Sequence, residues 1–194
     1  MEEIILVVVP TSGYRRVANG AGGFQLSPGL FCQLRMEKAV LILKSDRRAR
    51  LAIVGDYCDD EDYCGARLAE RWFEQQWPEL THQIVIVDAR GKYTAKDMKL
   101  LPERMAAASD KYLFLGVVIV SHPDHGELAG IPLRLKLEQS FSYPIPIWCE
   151  PSGEPPPYSR VGLALRRFVY RHDPLWEGFL SYPLRQHANR RGFP

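Results

Sequence analysis

The chain predicts an α/β fold, a three-layer sandwich of the Rossmann-like kind with about five mostly parallel strands and helices on both faces. Three observations lead there. Short, almost uninterrupted runs of branched apolar residues recur along the chain, as in IILVVV at 4–9 and YLFLGVVIV at 112–120, the pattern of strands buried on both faces. Segments with apolar residues at helix spacing separate them. Strands so separated pair in parallel through right-handed crossovers, which puts helices on either side of one sheet.

The first strand is Glu3 to Val9, stopped by Pro10-Thr11-Ser12-Gly13. After the glycine-rich NGAGGFQ, Ser27 is expected to cap a helix and Pro28 to be its first residue. Its apolar positions include Leu30, Leu34, Ala39, Val40, Leu41 and Leu43, and it should run to about Lys44. RLAIVGDY at 50–57 is the second strand. DDEDYCGARLAERWFEQQW then supplies acids suited to a helix start and places Leu68, Trp72 and Phe73 on one side. HQIVIVDAR at 82–90 is the third strand, and Thr94 caps a helix with Met98, Leu101 and Met105 on one face, kinked or broken at Pro102. KYLFLGVVIVS at 111–121 is the fourth strand and residues 121–126 its exit loop. LRLKLEQSF at 133–141 forms a short helix, and YPIPIWCE at 143–150 reads as an edge strand because of its prolines.

These units make residues 1–150 an α/β ligand-binding domain. Residues 151–194 follow as a proline-rich connector, PSGEPPP, then a helix over 159–172 and a tail packed on the same domain. A length of 194 residues with 46% hydrophobic and 25% charged residues suits that single domain. The net charge of +2 gives no reason to expect nucleic acid as a partner. No apolar run approaches the roughly 20 residues of a membrane-spanning helix, and the acidic start MEE does not read as a secretion signal. A cytoplasmic protein without a membrane anchor is expected, with Cys32, Cys58, Cys64 and Cys149 as free thiols.

In such folds the ligand sits beyond the carboxyl ends of the strands, near the point where strand order reverses. The loops there are 10–23, 55–61, 88–94 and 121–126, so Thr11, Asp56, Thr94 and His125 are expected to converge. His125 is the candidate general acid or base, because an imidazole ordinarily titrates near neutrality. Asp124 or Asp56 would orient it, and Ser121 and Thr94 would hold the ligand. Ser12 and Gly13 can present backbone donors to an anion. Asp56, Asp59, Asp60, Glu61 and Asp62 form either a solvated helix start or an oxygen cage for a divalent cation. Plainer roles compete: His125 bonding a loop carbonyl, Asp124 and Thr94 capping helices.

The run His122-Pro123-Asp124-His125 also has part of the metallo-β-lactamase pattern H-x-H-x-D-H, one histidine short and preceded by strand-helix units rather than hairpins. A metal-dependent hydrolase built on His122, Asp124 and His125 is therefore the second functional reading, and a bound metal is not favoured.

Taken in order, RMEKAVLILKSDRRARLAIVGD, DDEDYCGARLAERWF, VIVDARGKYTAKDMKLL and VVIVSHPDHGELA resemble the successive segments of the YdcF, SanA and ElyC superfamily of α/β proteins. That family carries R-x-x-x-A, a glycine strand end, an acidic helix start, N-T-x-E-N and T-S-x-x-H-x-x-R-A. Arg35 and Ala39 match the first, Gly55 the glycine, and Glu61 or Asp62 the acid. Thr94 matches the threonine, Asp97 stands at the second asparagine, and His125 and Ala129 keep their register. Ser121 replaces the threonine of the last motif and Leu128 its arginine. The resemblance implies a nucleotide-type small-molecule ligand, with S-adenosylmethionine as one candidate, and an enzyme acting on or with it.

The third reading is a non-catalytic interaction module whose surface is the C-terminal set Arg160, Arg166, Arg167, Arg171, Arg185, Arg190 and Arg191. Substrate, reaction type and oligomeric state are not encoded legibly.

Overall fold

The computed structural model describes residues 1–20, 22–55, 64–91, 94–153 and 160–172, with the backbone alone at 160, 161, 169, 171 and 172. The opening apolar run forms β1 (Glu2–Pro10), which pairs in parallel with β4 (Ala49–Val54) on one side and β6 (Tyr112–Ser121) on the other. The edges are β5 (Ile84–Asp88) and β7 (Ile147–Pro151), also parallel, giving the order β5-β4-β1-β6-β7. The chain winds outward from β1 in one direction and then returns to fill the other. The strand order therefore reverses between β1 and β6.

Alternation along each strand divides the core between two faces. Val7, Val9, Leu51 and Ile53 pack against α1 (Leu30–Ser45) and α2 (Gly65–Gln76) through Met36, Ala39, Leu43 and Phe73. Leu6, Val8, Ala52 and Val54 pack against α3 (Thr94–Ala107) and α4 (Pro123–Ser140) through Met98, Leu101, Met105 and Leu133. A β-bulge opposite Ile4 and Ile5 skips one residue of β6, so Phe114 and Val117 share a face although three positions apart. The result is the three-layer α/β sandwich, with helices on both faces of a parallel sheet. A fifth helix, α5 (Arg160–His172), lies outside α4 and seats Tyr170 on Leu128 and Ala95.

Three sequence expectations change. Ser27 and Pro28 do not start a helix; they end β3 (Phe24–Pro28), the second strand of a hairpin with β2 (Tyr14–Ala18). The amide of Gln33 holds them in the strand, donating to the Ser27 hydroxyl at 3.1 Å and the Pro28 carbonyl at 3.0 Å, and α1 starts after Gly29. The fourth helix begins at Pro123 rather than near Leu133, because Pro123 occupies its first turn, where a missing N–H costs nothing. Residues 123–126 thus belong to a helix and not to a loop. Cys64 is disulfide-bonded, which overturns the free-thiol expectation for that residue, while Cys32 and Cys149 are free. Pro102 lies inside α3 without ending it. Cys58, the acids from Asp56 to Asp62 and the tail beyond His172 lie outside the described residues. None of the described helices is long and apolar enough to cross a membrane.

Candidate functional site

The carboxyl ends of β1 and β6 lie side by side at the point of reversal, so the residues that follow them share one location. Ser121, the last residue of β6, is fully buried and lies 2.7 Å, Oγ to Nδ1, from His125 on the first turn of α4. The other ring nitrogen, Nε2, lies 3.1 Å from the Thr94 Oγ1 at the start of α3. A hydroxyl, an imidazole and a second hydroxyl therefore form one chain from the sheet to the start of α3. Thr94 is the first residue of that helix, with its side chain turned to the histidine.

His125 is only 8% exposed. Burial, then the positive charges of Arg35 and Arg166, then that of His122, push its pKa down to about 3. The imidazole is neutral across the physiological range and is a weak base while those charges stand around it. Arg35, 4% exposed, donates to the Pro10 carbonyl at 2.6 Å, which anchors its guanidinium at the end of β1.

On the other side of β1 the site is built by close approach. Gly55 ends the β4 segment at φ +127°, where L side chains are strained, and a methyl there would also strike the Thr11 hydroxyl. Thr11 donates its N–H to the Val54 carbonyl at 2.7 Å, and Gly55 donates to the Asp88 carbonyl at 3.0 Å, lacing the three strand ends together. A methyl at Gly91 would overlap the Asp97 carboxylate, which is itself buried and reaches toward Gly55. The Thr11 and Ser12 hydroxyl oxygens are buried and make no hydrogen bond, a condition native proteins leave to few groups. Gly13 faces elsewhere: its carbonyl accepts from Gly29 at 3.1 Å, which fixes the hairpin against the start of α1.

Of the sequence candidates, then, Thr94, Ser121 and His125 meet directly, and Thr11 and Gly55 meet beside them. Asp56 and Glu61 lie outside the described residues. Asp124 does not reach His125; its backbone N–H donates to His122 Nδ1 at 3.2 Å, making His122 the helix cap. Both ring nitrogens of His125 are turned to hydroxyls, so His122, Asp124 and His125 do not assemble as a ligand set. No group of three metal-ligating side chains occurs among the described residues. Asp97, Gly91 and Arg166 carry more of the site than their sequence signals suggested. Gly91 could have been found as a glycine between a strand end and a helix start, and Arg166 as an arginine on the apolar face of α5.

Two cavities lie away from this location. One of about 380 Å³ sits between the hairpin and α2, lined by Gln25, Leu68, Arg71 and Trp72. The other, of about 550 Å³, lies beside the edge strand against Arg134, Leu137 and Tyr143. Beyond the paired edge, Asp88 is held by Arg90, with Nη2 to Oδ2 at 2.6 Å, and by Arg104 at 3.3 Å. Burial pushes that carboxyl up, and the hydrogen bonds from Arg90 outweigh it and keep the group below its usual range. This cluster ties β5 to α3 and leaves no carboxylate to spare for chemistry.

Searches of family models, curated proteins and solved structures return no match to this chain.

Proposed function

We propose that this chain binds a nucleotide-type small molecule over the carboxyl ends of β1, β4 and β6, and that it is an enzyme of the YdcF-like group. The observation that carries this reading is the Ser121–His125–Thr94 chain at the one place where strand order reverses. Beside it the buried Thr11 and Ser12 hydroxyls have no hydrogen-bond partner, which is costly for a fold to keep without a ligand. S-adenosylmethionine and adenine nucleotides are the candidates, with no nucleic-acid partner and no metal required. His125 is the proton-transfer group in this reading. Burial first, and then the surrounding positive charges, hold its free-state pKa far too low for a base at neutral pH, so in this reading ligand binding has to offset both. The bonded Cys64 is the observation that speaks against a cytoplasmic location.

Thermal denaturation of the purified chain with a panel of adenosine, adenine nucleotides and S-adenosylmethionine tests the reading. At least one should raise the midpoint, and His125→Gln should abolish that rise while leaving the protein folded. A panel that leaves the midpoint unmoved, or a ligand bound equally well by the His125 variant, would sink it.

A further inference from the structure

The two strands of the hairpin have unlike edges. In β2 the charged Arg15 and Arg16 stand along the edge, whereas β3, with the sequence FQLSP, has no charged residue. Charges on an edge discourage a further strand from pairing, and β3 lacks that protection. The bonding of the hairpin fixes which backbone groups it leaves over. At one end Gly29 donates to the Gly13 carbonyl at 3.1 Å, and at the other Asn19 donates to the Gly23 carbonyl at 2.9 Å. Bonded and non-bonded pairs alternate along an antiparallel ladder, so in this register Ser27 bonds to Arg15 and Gln25 to Val17. Phe24, Leu26 and Pro28 then turn their backbone groups away from β2. On that side the Pro28 carbonyl is taken by the Gln33 amide at 3.0 Å. The N–H and carbonyl groups of Phe24 and Leu26 meet no partner among the described residues.

The cavity of about 380 Å³ beside the hairpin runs along this edge. It touches Gln25, Leu26 and Ser27 in succession, and successive side chains of a strand leave on opposite faces, so what meets all three lies at the strand's side. Its far wall is α2, which turns Leu68, Arg71, Trp72 and Gln75 toward it at the spacing of one helical face. Arg71 is exposed and is the charged residue of that lining. The nearby Glu70 does not answer it, being held by Arg67 at 2.8 Å.

We propose that this groove binds a partner protein through an extended, acidic peptide segment, which pairs with β3 as a third strand. The N–H and carbonyl groups of Phe24 and Leu26 supply the main-chain bonds, which give affinity whatever the sequence of the added strand. Selectivity comes from the α2 wall. There Leu68 and Trp72 seat an apolar side chain, and the Arg71 guanidinium takes a carboxylate through paired hydrogen bonds. The Gln25 and Gln75 amides flank it as donors and acceptors. A lining with a cation and no anion repels a basic segment and favours an acidic one. The groove lies away from Ser121, His125 and Thr94 and does not depend on what binds there.

The probe is the blocked peptide Thr-Val-Glu-Val-Thr, titrated into the full chain while the backbone amide signals are followed by NMR. The Phe24 and Leu26 amides should move downfield and exchange more slowly as the peptide binds. A peptide with lysine at its centre, and one with proline in place of both valines, should each bind roughly tenfold more weakly or worse. Arg71→Gln should weaken the glutamate peptide by roughly the same factor and leave the lysine peptide no weaker. Leu26→Pro removes an outward N–H and no hairpin bond, so that variant should fold and lose the peptide. Amides of Phe24 and Leu26 that stay still at millimolar peptide overturn the proposal. So does equal binding of the lysine or proline peptide, or of the glutamate peptide by the Arg71 variant. Dimerisation of the free chain that shifts the same two amides assigns the edge to a second copy and also overturns it. Should Leu26→Pro not fold, the proline peptide and Arg71→Gln decide the matter.

Discussion

An imidazole closed in between two hydroxyls and under two guanidinium charges has its neutral form as the native one, and that has a measurable sign. Above pH 6.5 neither the folded nor the unfolded chain holds the proton, and His125 adds no slope to stability. Between pH 6.5 and about 3 the unfolded chain binds a proton that the native state refuses. Stability therefore falls on acidification, by up to about 1.4 kcal/mol per pH unit from this residue. Urea denaturation at a series of pH values should show that loss in the wild type and lack it in His125→Asn. A second residue-scale expectation concerns Gly91, where an added methyl meets the Asp97 carboxylate and the backbone at Asp97. Gly91→Ala should cost about 1–3 kcal/mol of stability, read from the same denaturation curves. The position of His125 was legible in the sequence because a polar cluster follows a buried apolar run. Its partner and its depressed pKa were not, since they depend on Thr94, Arg35 and Arg166, which come from other helices. This also changes what truncation does: His125→Ala leaves two hydroxyls without their partner in a buried place, so it should lose stability and not only activity.

At the level of elements, the strands were legible and the connections between them less so. The central strands announce themselves by composition, since a strand covered on both faces admits only apolar residues, as Val7, Val8 and Val9 show. The hairpin β2–β3 leaves no strand signal in the sequence because its strands are largely exposed and carry mixed residues such as Arg15, Arg16 and Gln25. Ser27-Pro28 is a fair helix signal that a tertiary contact from Gln33 overrides. The early start of α4 is written in Pro123, and the helix runs on through Pro132. The α5 helix makes the sharpest expectation here. Its hold on the domain is the small cluster around Tyr170, separate from the two main cores. Tyr170→Ala should remove about 3 kcal/mol of packing. Hydrogen exchange should then speed up across α5 while β1 stays protected, and loss of protection in β1 as well would show the helix and sheet to be one cooperative unit.

For the whole molecule, alternating strand and helix signals were enough to predict the layers, because parallel strands must be joined across a face. They were not enough to predict the neighbours of each strand, since periodicity along the chain carries no information across it. The disulfide at Cys64 runs against the free-thiol expectation, which rested on a reducing compartment. Reduction should lower the thermal midpoint of the intact protein, and two thiols, Cys32 and Cys149, should be found free by titration under denaturing conditions before reduction. The pairing of β1 has a consequence in time. The strand is made first, and one of its two neighbours, β4, follows soon after; the other, β6, pairs Glu2 with Tyr112 and is translated roughly a hundred residues later. A growing chain therefore carries its most apolar strand half-covered until β6 emerges from the ribosome, exposed to chaperones and to strand edges of other chains. Released fragments ending before residue 111 should be captured by chaperones or aggregate. The crevice proposed to hold the ligand comes into being with that last pairing, so no ligand can assist folding before the sheet has closed.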